Sequence, residues 1–364
     1  MAKSFDVGVV GAGGDHAGKS RIPSLLANRG EGLRIVAVAD YNVEKARMRG
    51  QELDVPAFGT LGEMIGAVPL DGVVVVTPHS EHGPNALEAL DAGLHVLGEK
   101  PMAATVVEAE EMLASAREKG LVLDIGYQYP FMVEAAVHAV RSGQIGDVRR
   151  IQANWLRQDG IPPQASFWRS AESGGVTLDL LGHVLSAALP FVDSAPIWVS
   201  AQTWRDFGLA RHQDGFRAED TVAATLRFEG GVRGLFTAAW AACIPDPEQF
   251  NLWVHGSRGT LEIRLMTVQG EEEAEQFRPI LHARVFGKTA DQVISEPLPG
   301  PVPPTVPAAL RAQARNWLRA CQGHEPLRFT PEQALHIQRI LRGVYASAHH
   351  DRPGEEVTLD RGRS

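Results

Sequence analysis

A chain of 364 residues is longer than one hydrophobic core usually organises, so two domains are expected. With 44% hydrophobic and 22% charged residues it has the composition of a soluble globular protein, and a net charge of −9 argues against nucleic acid or an anionic membrane as partner. Two cysteines, Cys243 and Cys321, are too few for a thiolate metal cage or a disulfide framework, which fits a reducing cytoplasm; no metal site is expected. No stretch approaches the roughly 20 apolar residues of a membrane span. The apolar run from Phe5 is short and ends in glycines, which marks a core strand rather than a signal peptide.

The first third alternates. Strand-like runs fall at 6–10, 33–39, 72–76, 94–98 and 121–125, and helix-like runs at 22–28, 43–53, 81–92 and 106–119. Strands alternating with helices indicate a doubly wound parallel sheet, an α/β fold with helices on both faces. The four valines Val73–Val76 suit a strand buried on both sides. Ligands of such sheets sit beyond the carboxyl ends of the strands, where Gly11–Gly14, Asp40, Thr77-Pro78 and Glu99-Lys100 all fall.

Between the first strand and helix lies GAGGDHAGKS, Gly11 to Ser20. From Gly13 it spells G-x-x-x-x-G-K-S, a phosphate-loop match; from Gly11 it begins a G-x-G dinucleotide fingerprint. A phosphate-loop kinase needs an acid at a neighbouring strand end to hold magnesium. The strand ending in Val76-Thr77-Pro78 carries none. Asp40, a little over twenty residues past the glycines, lies where an acid meets the ribose hydroxyls of a dinucleotide. The dinucleotide reading is therefore favoured, with NAD ahead of NADP because an acid there repels a 2′-phosphate. His16 occupies the place of the third glycine, and Lys19 reads most simply as a solvated residue at a helix start.

The pattern changes after Tyr127. A helix at 133–142 leads to a strand at 149–156, a loop with Pro162 and Pro163, Gly174-Gly175, and an apolar helix at 176–189. Alternating runs at 199–204, 221–228, 232–240, 252–255 and 260–263 predict a mostly antiparallel sheet with one solvated or interface face. Glu271–Glu273 reads as a solvated turn and Pro297–Pro307 as an extended connection, before helices at 308–321 and 331–349. The expected domains are 1–127 and 128–364, with the final helix free to pack back on the first. Asp179 and His183, four apart in an apolar helix, share one face, and a charge there is costly unless paired or facing a cleft. A lysine at a strand end, Lys100, can stabilise a developing alkoxide.

Taken together, Gly8-Val9-Val10-Gly11-Ala12-Gly13-Gly14, Val38-Ala39-Asp40, Val76-Thr77-Pro78 with His82, Glu99-Lys100-Pro101, and Gly174-Gly175 followed by Asp179 and His183 resemble the glucose–fructose oxidoreductase / inositol dehydrogenase / MocA family. The resemblance runs from the first strand to about Leu189. It implies an N-terminal Rossmann domain and a C-terminal α+β domain for substrate binding and oligomerisation, as a homodimer or homotetramer through the open sheet. It implies Lys100 as catalytic lysine, Pro101 after a cis peptide, His183 as acid/base, and Asp179 as its orienter or a ligand of substrate hydroxyls. Gly11, Gly13, Gly14, Asp40, Thr77, Pro78, His82, Glu99, Lys100 and Gln128 would hold the cofactor. Tyr127, Trp155, Arg157, Trp168 and Arg169, with Asp159, would face the substrate, a sugar or cyclitol. Aromatic faces suit sugar C–H surfaces and arginines suit anions or hydroxyl clusters, although tryptophans as readily pack cores. The sequence departs from the family pattern at His79, at Gln128-Tyr129 in place of Asn-Arg, and at Ser186 in place of an aspartate. The implied activity is hydride transfer between nicotinamide and a secondary alcohol or ketone. A redox-assisted glycoside hydrolase, a non-catalytic dinucleotide sensor and, remotely, a kinase acting through Gly13–Ser20 stay open as alternatives.

Overall fold

The computed structural model describes residues 4–162, 175–207, 215–245, 247–265, 280–285, 292–297, 306–349 and 357–359. Of the expected site, Trp168, Arg169 and Gly174 lie outside these residues, as do Glu271–Glu273. The chain divides into two compact units, 1–128 with 306–338, and 129–305 with 339–364.

Six parallel strands form the sheet of the first unit: β1 (Phe5–Val10), β2 (Leu33–Ala39), β3 (Ala57–Phe58), β4 (Gly72–Val75), β5 (His95–Gly98) and β6 (Leu123–Ile125). Their order is β3-β2-β1-β4-β5-β6, so the winding reverses between β1 and β4, the place where such sheets open a crevice for ligands. All four residues of β4 are buried, as its valine run requires. Helix Val43–Leu53 is capped by Asn42, and helix Val106–Glu118 starts with a complete Thr105/Glu108 capping box. Strand β3 and helix Leu61–Ala67 are additions to the sequence reading. Two residues are too few for a periodic signal, but Thr60, which accepts from Glu63 N–H, was a legible N-cap. Helix Val306–Cys321 belongs to this unit because its apolar face (Ala314, Trp317, Leu318) packs into the cluster of Phe5, Val7 and Leu97. Trp317 is fully buried, edge-on to Phe5 at 5.6 Å.

The second unit holds β7 (Val148–Arg157), β8 (Pro196–Trp204), β9 (Thr221–Phe228), β10 (Arg233–Ala239), β11 (Glu248–Gly256) and β12 (Thr260–Leu265). A short β15 (Val357–Thr358) closes one edge, and β13 (Ile280–Val285) pairs with β14 (Gln292–Pro297) in a separate hairpin. The order is β12-β11-β7-β10-β9-β8-β15, antiparallel at every junction except β7–β10. The alternation of β9 buries Val222, Ala224, Leu226 and Phe228. Helix Gly182–Ala188, all seven residues buried, packs on β7 and β10, which explains its apolar sequence. Among the described residues no helix is long and apolar enough to cross a membrane.

Candidate active site

In the first unit the glycine turn is fixed by close approach. Gly11 has φ of 80°, and a Cβ there would lie 2.5 Å from the Val76 carbonyl oxygen, so a side chain would push β4 away. Gly13 N–H donates to Asp40 Oδ2 and Asn42 N–H to Oδ1, both at 2.9 Å, which holds the buried Asp40 carboxylate at the end of β2. A Cβ on Gly13 would strike Lys45 and Asp40, whereas Gly14 has room for one. Gly11, Gly13, Asp40, Thr77 and Pro78 line one cavity of about 690 Å³, with the exposed Tyr41 at its rim. The later residues of the phosphate-loop match behave otherwise. Ala17–Arg21 forms a π turn, Gly18 N–H donates to Gly14 O before it, and Lys19 pairs with Asp15 on the exposed surface.

His82 does something other than the resemblance implied. Its ring is buried between two carbonyl oxygens, Pro101 O at 2.7 Å from Nδ1 and Thr77 O at 2.8 Å from Nε2. It ties the turn after β4 to the turn after β5 rather than presenting itself to a ligand, and burial lowers its pKa. Glu99 is likewise committed. Arg21 Nε reaches its Oε1 at 2.8 Å, Arg21 Nη2 at 2.5 Å and His16 Nε2 at 3.0 Å. Burial alone would raise the Glu99 pKa, but Arg21 and His16 overcome it and hold the carboxyl well below the usual range. Lys100 follows directly, joined to Pro101 by a cis peptide.

Arg21, Gln313 and Asp124 complete this cluster, and none was picked out from sequence. Gln313 Oε1 accepts from Arg21 Nη1 at 3.3 Å, while its Nε2 donates to Ile125 O at 2.8 Å and Asp124 Oδ2 at 3.2 Å. Burial pushes Asp124 up to about 7, with Arg21 and Gln313 pulling the other way. The available signal was an aspartate inside the apolar strand Leu121–Ile125, where a lone acid needs a partner. Tyr127, expected at the substrate, is instead a core residue, 1% exposed and edge-on to Phe329 at 5.8 Å, since the chain leaving β6 turns inward there. Gln128 is buried as well.

In the second unit, the residues from Gly175 lead into the Asp179–His183 segment. A Cβ on Gly175 would collide with the Glu219 carbonyl. Val176 N–H donates to Glu219 O at 3.0 Å and Thr177 N–H to Glu219 Oε1 at 3.2 Å, and Tyr345 OH donates to the same carboxylate oxygen. Thr177–Leu181 is a π turn, not the regular helix that the sequence suggests, and it carries Asp179, whose Oδ2 accepts from Trp240 Nε1 at 2.9 Å. His183, 8% exposed, stands 5.2 Å from the Tyr129 ring and 5.8 Å from Trp155. Trp155 stacks on Phe250 at 5.0 Å and 10°, because β11 pairs those two positions. Its indole N–H and Arg157 Nε, the latter at 2.8 Å, both donate to Glu248 Oε1, and the Arg157 guanidinium lies 4.9 Å from the Trp155 ring centre. Two expectations change here. Trp155 is a buried core ring rather than an open sugar platform, and Arg157 is engaged by Glu248 rather than open to an anion. Glu248 and Trp240 were missed because each pairs with a residue far along the chain.

The model of the oxidoreductase family with an NAD-binding Rossmann fold matches residues 5–127, and the GFO/IDH/MocA C-terminal domain matches residues 133–262. The chain belongs to the Gfo/Idh/MocA oxidoreductase family. Among relatives of this Gfo/Idh/MocA member is the trans-1,2-dihydrobenzene-1,2-diol dehydrogenase of Mus musculus, 30% identical over 70% of this chain and 74% of the relative. The D-glucoside 3-dehydrogenase of Escherichia coli (strain K12) is 28% identical over 70% of this chain and 79% of the relative. The solved aldose-aldose oxidoreductase from Caulobacter crescentus, complexed with glycerol, superposes with a TM-score of 0.75 at 26% identity, over 98% of this chain and 100% of that one.

Proposed function

We propose that this oxidoreductase is an NAD-dependent dehydrogenase that oxidises a secondary ring alcohol of a neutral sugar, cyclitol or cyclic diol, or reduces the matching ketone. The observation that carries the reading is one edge of one sheet. Gly11, Asp40, Thr77 and Lys100 stand at the carboxyl ends of the adjacent parallel strands β1, β2, β4 and β5, in the unit that the family's NAD-binding model matches. The residues fit the cofactor: the Gly11 turn leaves no space for a side chain, and Asp40 lines the same cavity with its carboxylate pre-oriented by two backbone donors. Asp40 would accept from the ribose hydroxyls and repel a 2′-phosphate, which favours NAD over NADP.

When bound, the nicotinamide supplies the acceptor for the hydride released as the carbinol C–H bond breaks. Lys100 donates to the alcohol oxygen and stabilises the alkoxide that develops there. An imidazole nitrogen of His183 takes the hydroxyl proton as general base, and Asp179, held by Trp240, orients that part of the helix. The pairing of Arg157 with Glu248 supports a neutral substrate. The relatives named above act, by their names, on a cyclic diol and on glucosides, which supports a ring alcohol. The solvent face of the second sheet carries the exposed Trp204 and Leu235, which suits a homodimer or homotetramer formed through it; light scattering tests this.

The test is calorimetric titration with NADH, NADPH and Mg-ATP, followed by a screen of glucosides, cyclitols and cyclic trans-diols for NAD reduction at 340 nm. NADH should bind at least ~10-fold tighter than NADPH, and at least one neutral ring alcohol should reduce NAD. Binding of Mg-ATP alone would sink the reading and return attention to Lys19 and Ser20.

A further inference from the structure

We propose that Arg21 is a positioning residue for the reaction: it locks the Glu99 carboxylate, and with it the turn that carries Lys100, while Gln313 of helix Val306–Cys321 fixes the Arg21 guanidinium. The inference rests on the reading of Lys100 as the residue that acts on the substrate.

Arg21 is 1% exposed, and a guanidinium so placed is tolerated only when its donors are matched. Nε donates to Glu99 Oε1 at 2.8 Å and Nη1 to Gln313 Oε1 at 3.3 Å, while Nη2 makes an ion contact with the same Glu99 oxygen at 2.5 Å without hydrogen-bond geometry. The Gln313 amide has one workable orientation, because its Nε2 is used by Ile125 O and Asp124 Oδ2. The carboxamide therefore acts as a bracket between the end of β6 and the arginine. The other side is closed by backbone. A Cβ on Gly126 would lie 2.7 Å from Glu99 Oε2 and 2.9 Å from Arg21 Nη2, so the ion pair packs directly on the Gly126 backbone and only glycine fits there. Glu99 Oε2 in turn faces the Lys100 backbone N–H at 3.4 Å.

The charges are arranged for this end. One arginine faces two buried carboxyls, Glu99 and Asp124. Asp124 meets it only through Gln313, which leaves the direct ion pair to Glu99. A purely structural role at this place would be served as well by apolar side chains, since buried ion pairs rarely add net stability over packed hydrocarbon. What the network adds is direction: it holds one carboxylate, in one rotamer, at the residue before Lys100.

The experiment uses the full chain with Arg21→Met and Arg21→Lys. Amide hydrogen exchange, with NADH present, is read over the segment from Glu99 to Ala103 and over β1, β2 and β4. Kinetics are read with the ring alcohol that reduces NAD fastest in the screen above, protiated and deuterated at the carbinol carbon. In Arg21→Met, exchange from Glu99 to Ala103 should accelerate ~10-fold or more while the three strands stay unchanged. The kcat should fall ~30-fold with KM and NADH affinity within ~3-fold, and the isotope effect should rise as hydride transfer becomes slower. Arg21→Lys, which keeps one charged donor, should recover part of both effects. Unchanged exchange in the turn, or uniform acceleration across the unit with a lost fraction of active protein and an unaltered isotope effect, would overturn the proposal. If the wild-type protein reduces NAD with no ring alcohol, the dehydrogenase reading fails on its own, and the exchange data still decide whether Arg21 positions the turn.

Discussion

The first unit gathers its buried chemistry around charge: Glu99 and Gln313 converge on Arg21, and Asp124 joins through Gln313. In the second unit the buried imidazole of His183 sits instead among rings, with Tyr129 and Trp155 beside it and Phe250 behind Trp155. Each half also contains a π turn, at Ala17–Arg21 and at Thr177–Leu181, where an extra residue per turn re-aims side chains. The contrast separates two ways of holding a reactive group. Hydrogen-bonded charge is directional and fails sharply when one partner is lost, because the other is left buried and unmatched. Ring packing is nearly non-directional and tolerates the loss of a polar atom, provided volume is kept.

That contrast can be broken at several points. The largest effect is expected at Lys100→Ala, which should lower kcat at least ~1,000-fold with NADH affinity nearly intact, as for loss of an oxyanion-type donor together with a proton-bearing group. Retained turnover would remove Lys100 from the chemistry. Next comes Gly11→Ala, where positive φ and a collision with Val76 should cost about 2–3 kcal/mol and weaken NADH binding ~30-fold or more, read by calorimetry. Asp40→Ala should weaken NADH by ~10-fold and narrow or invert the preference over NADPH. An unchanged ratio would mean that Asp40 serves only the backbone of Gly13 and Asn42.

Two buried groups of the first unit should tilt stability against pH in opposite directions. Asp124 keeps its proton to about 7 when folded but loses it near 3.8 when unfolded, so the folded state binds more protons between and stability falls as pH rises through that window. The groups facing it are Arg21, Glu99, Cys321 and the Gln313 amide. His82 has its pKa lowered from 6.5 by burial, so the unfolded state binds more protons and stability falls as pH drops below that value. Asp124→Asn should therefore gain relative stability toward pH 7.5, and His82→Gln toward pH ~5, measured as urea midpoints across the range. Tilts of the same sign would contradict the assigned protonation states. The smallest effect belongs to the aromatic half. Tyr129→Phe keeps the ring against His183 and should change kcat/KM less than ~3-fold. A larger loss would make the Tyr129 hydroxyl part of the chemistry.

Much of the first unit was legible because its rules are local. Alternation of apolar runs located β1, β2, β4 and β5, and a glycine turn followed by an acid at the next strand end located Gly11, Gly13 and Asp40. Arg21 was not legible for a plain reason: Glu99 lies 78 residues from it and Gln313 lies 292. His82 was assigned to the cofactor through the family resemblance, and the folded chain holds its ring between two carbonyls. Trp155 was placed on a strand and Arg157 just past its end, whereas β7 runs through Arg157; exposure was unreadable, because it depended on β11 lying beside β7 and bringing Phe250 and Glu248.

By itself, then, the amino-acid sequence determined the parallel sheet, the strand-end positions of the glycine turn, Asp40 and Lys100, the apolar segment bearing Asp179 and His183, and the family. These follow from periodicity, turn chemistry and short-range order along the chain. Only the tertiary structure decided which charges meet: that Arg21 is matched by Glu99, that Gln313 arrives from the far end of the chain, that Glu248 neutralises Arg157, and that burial raises the pKa of Asp124. Burial makes an unpaired charge costly, so each must find a partner, but which partner is set by strand order and helix docking rather than by neighbours in sequence.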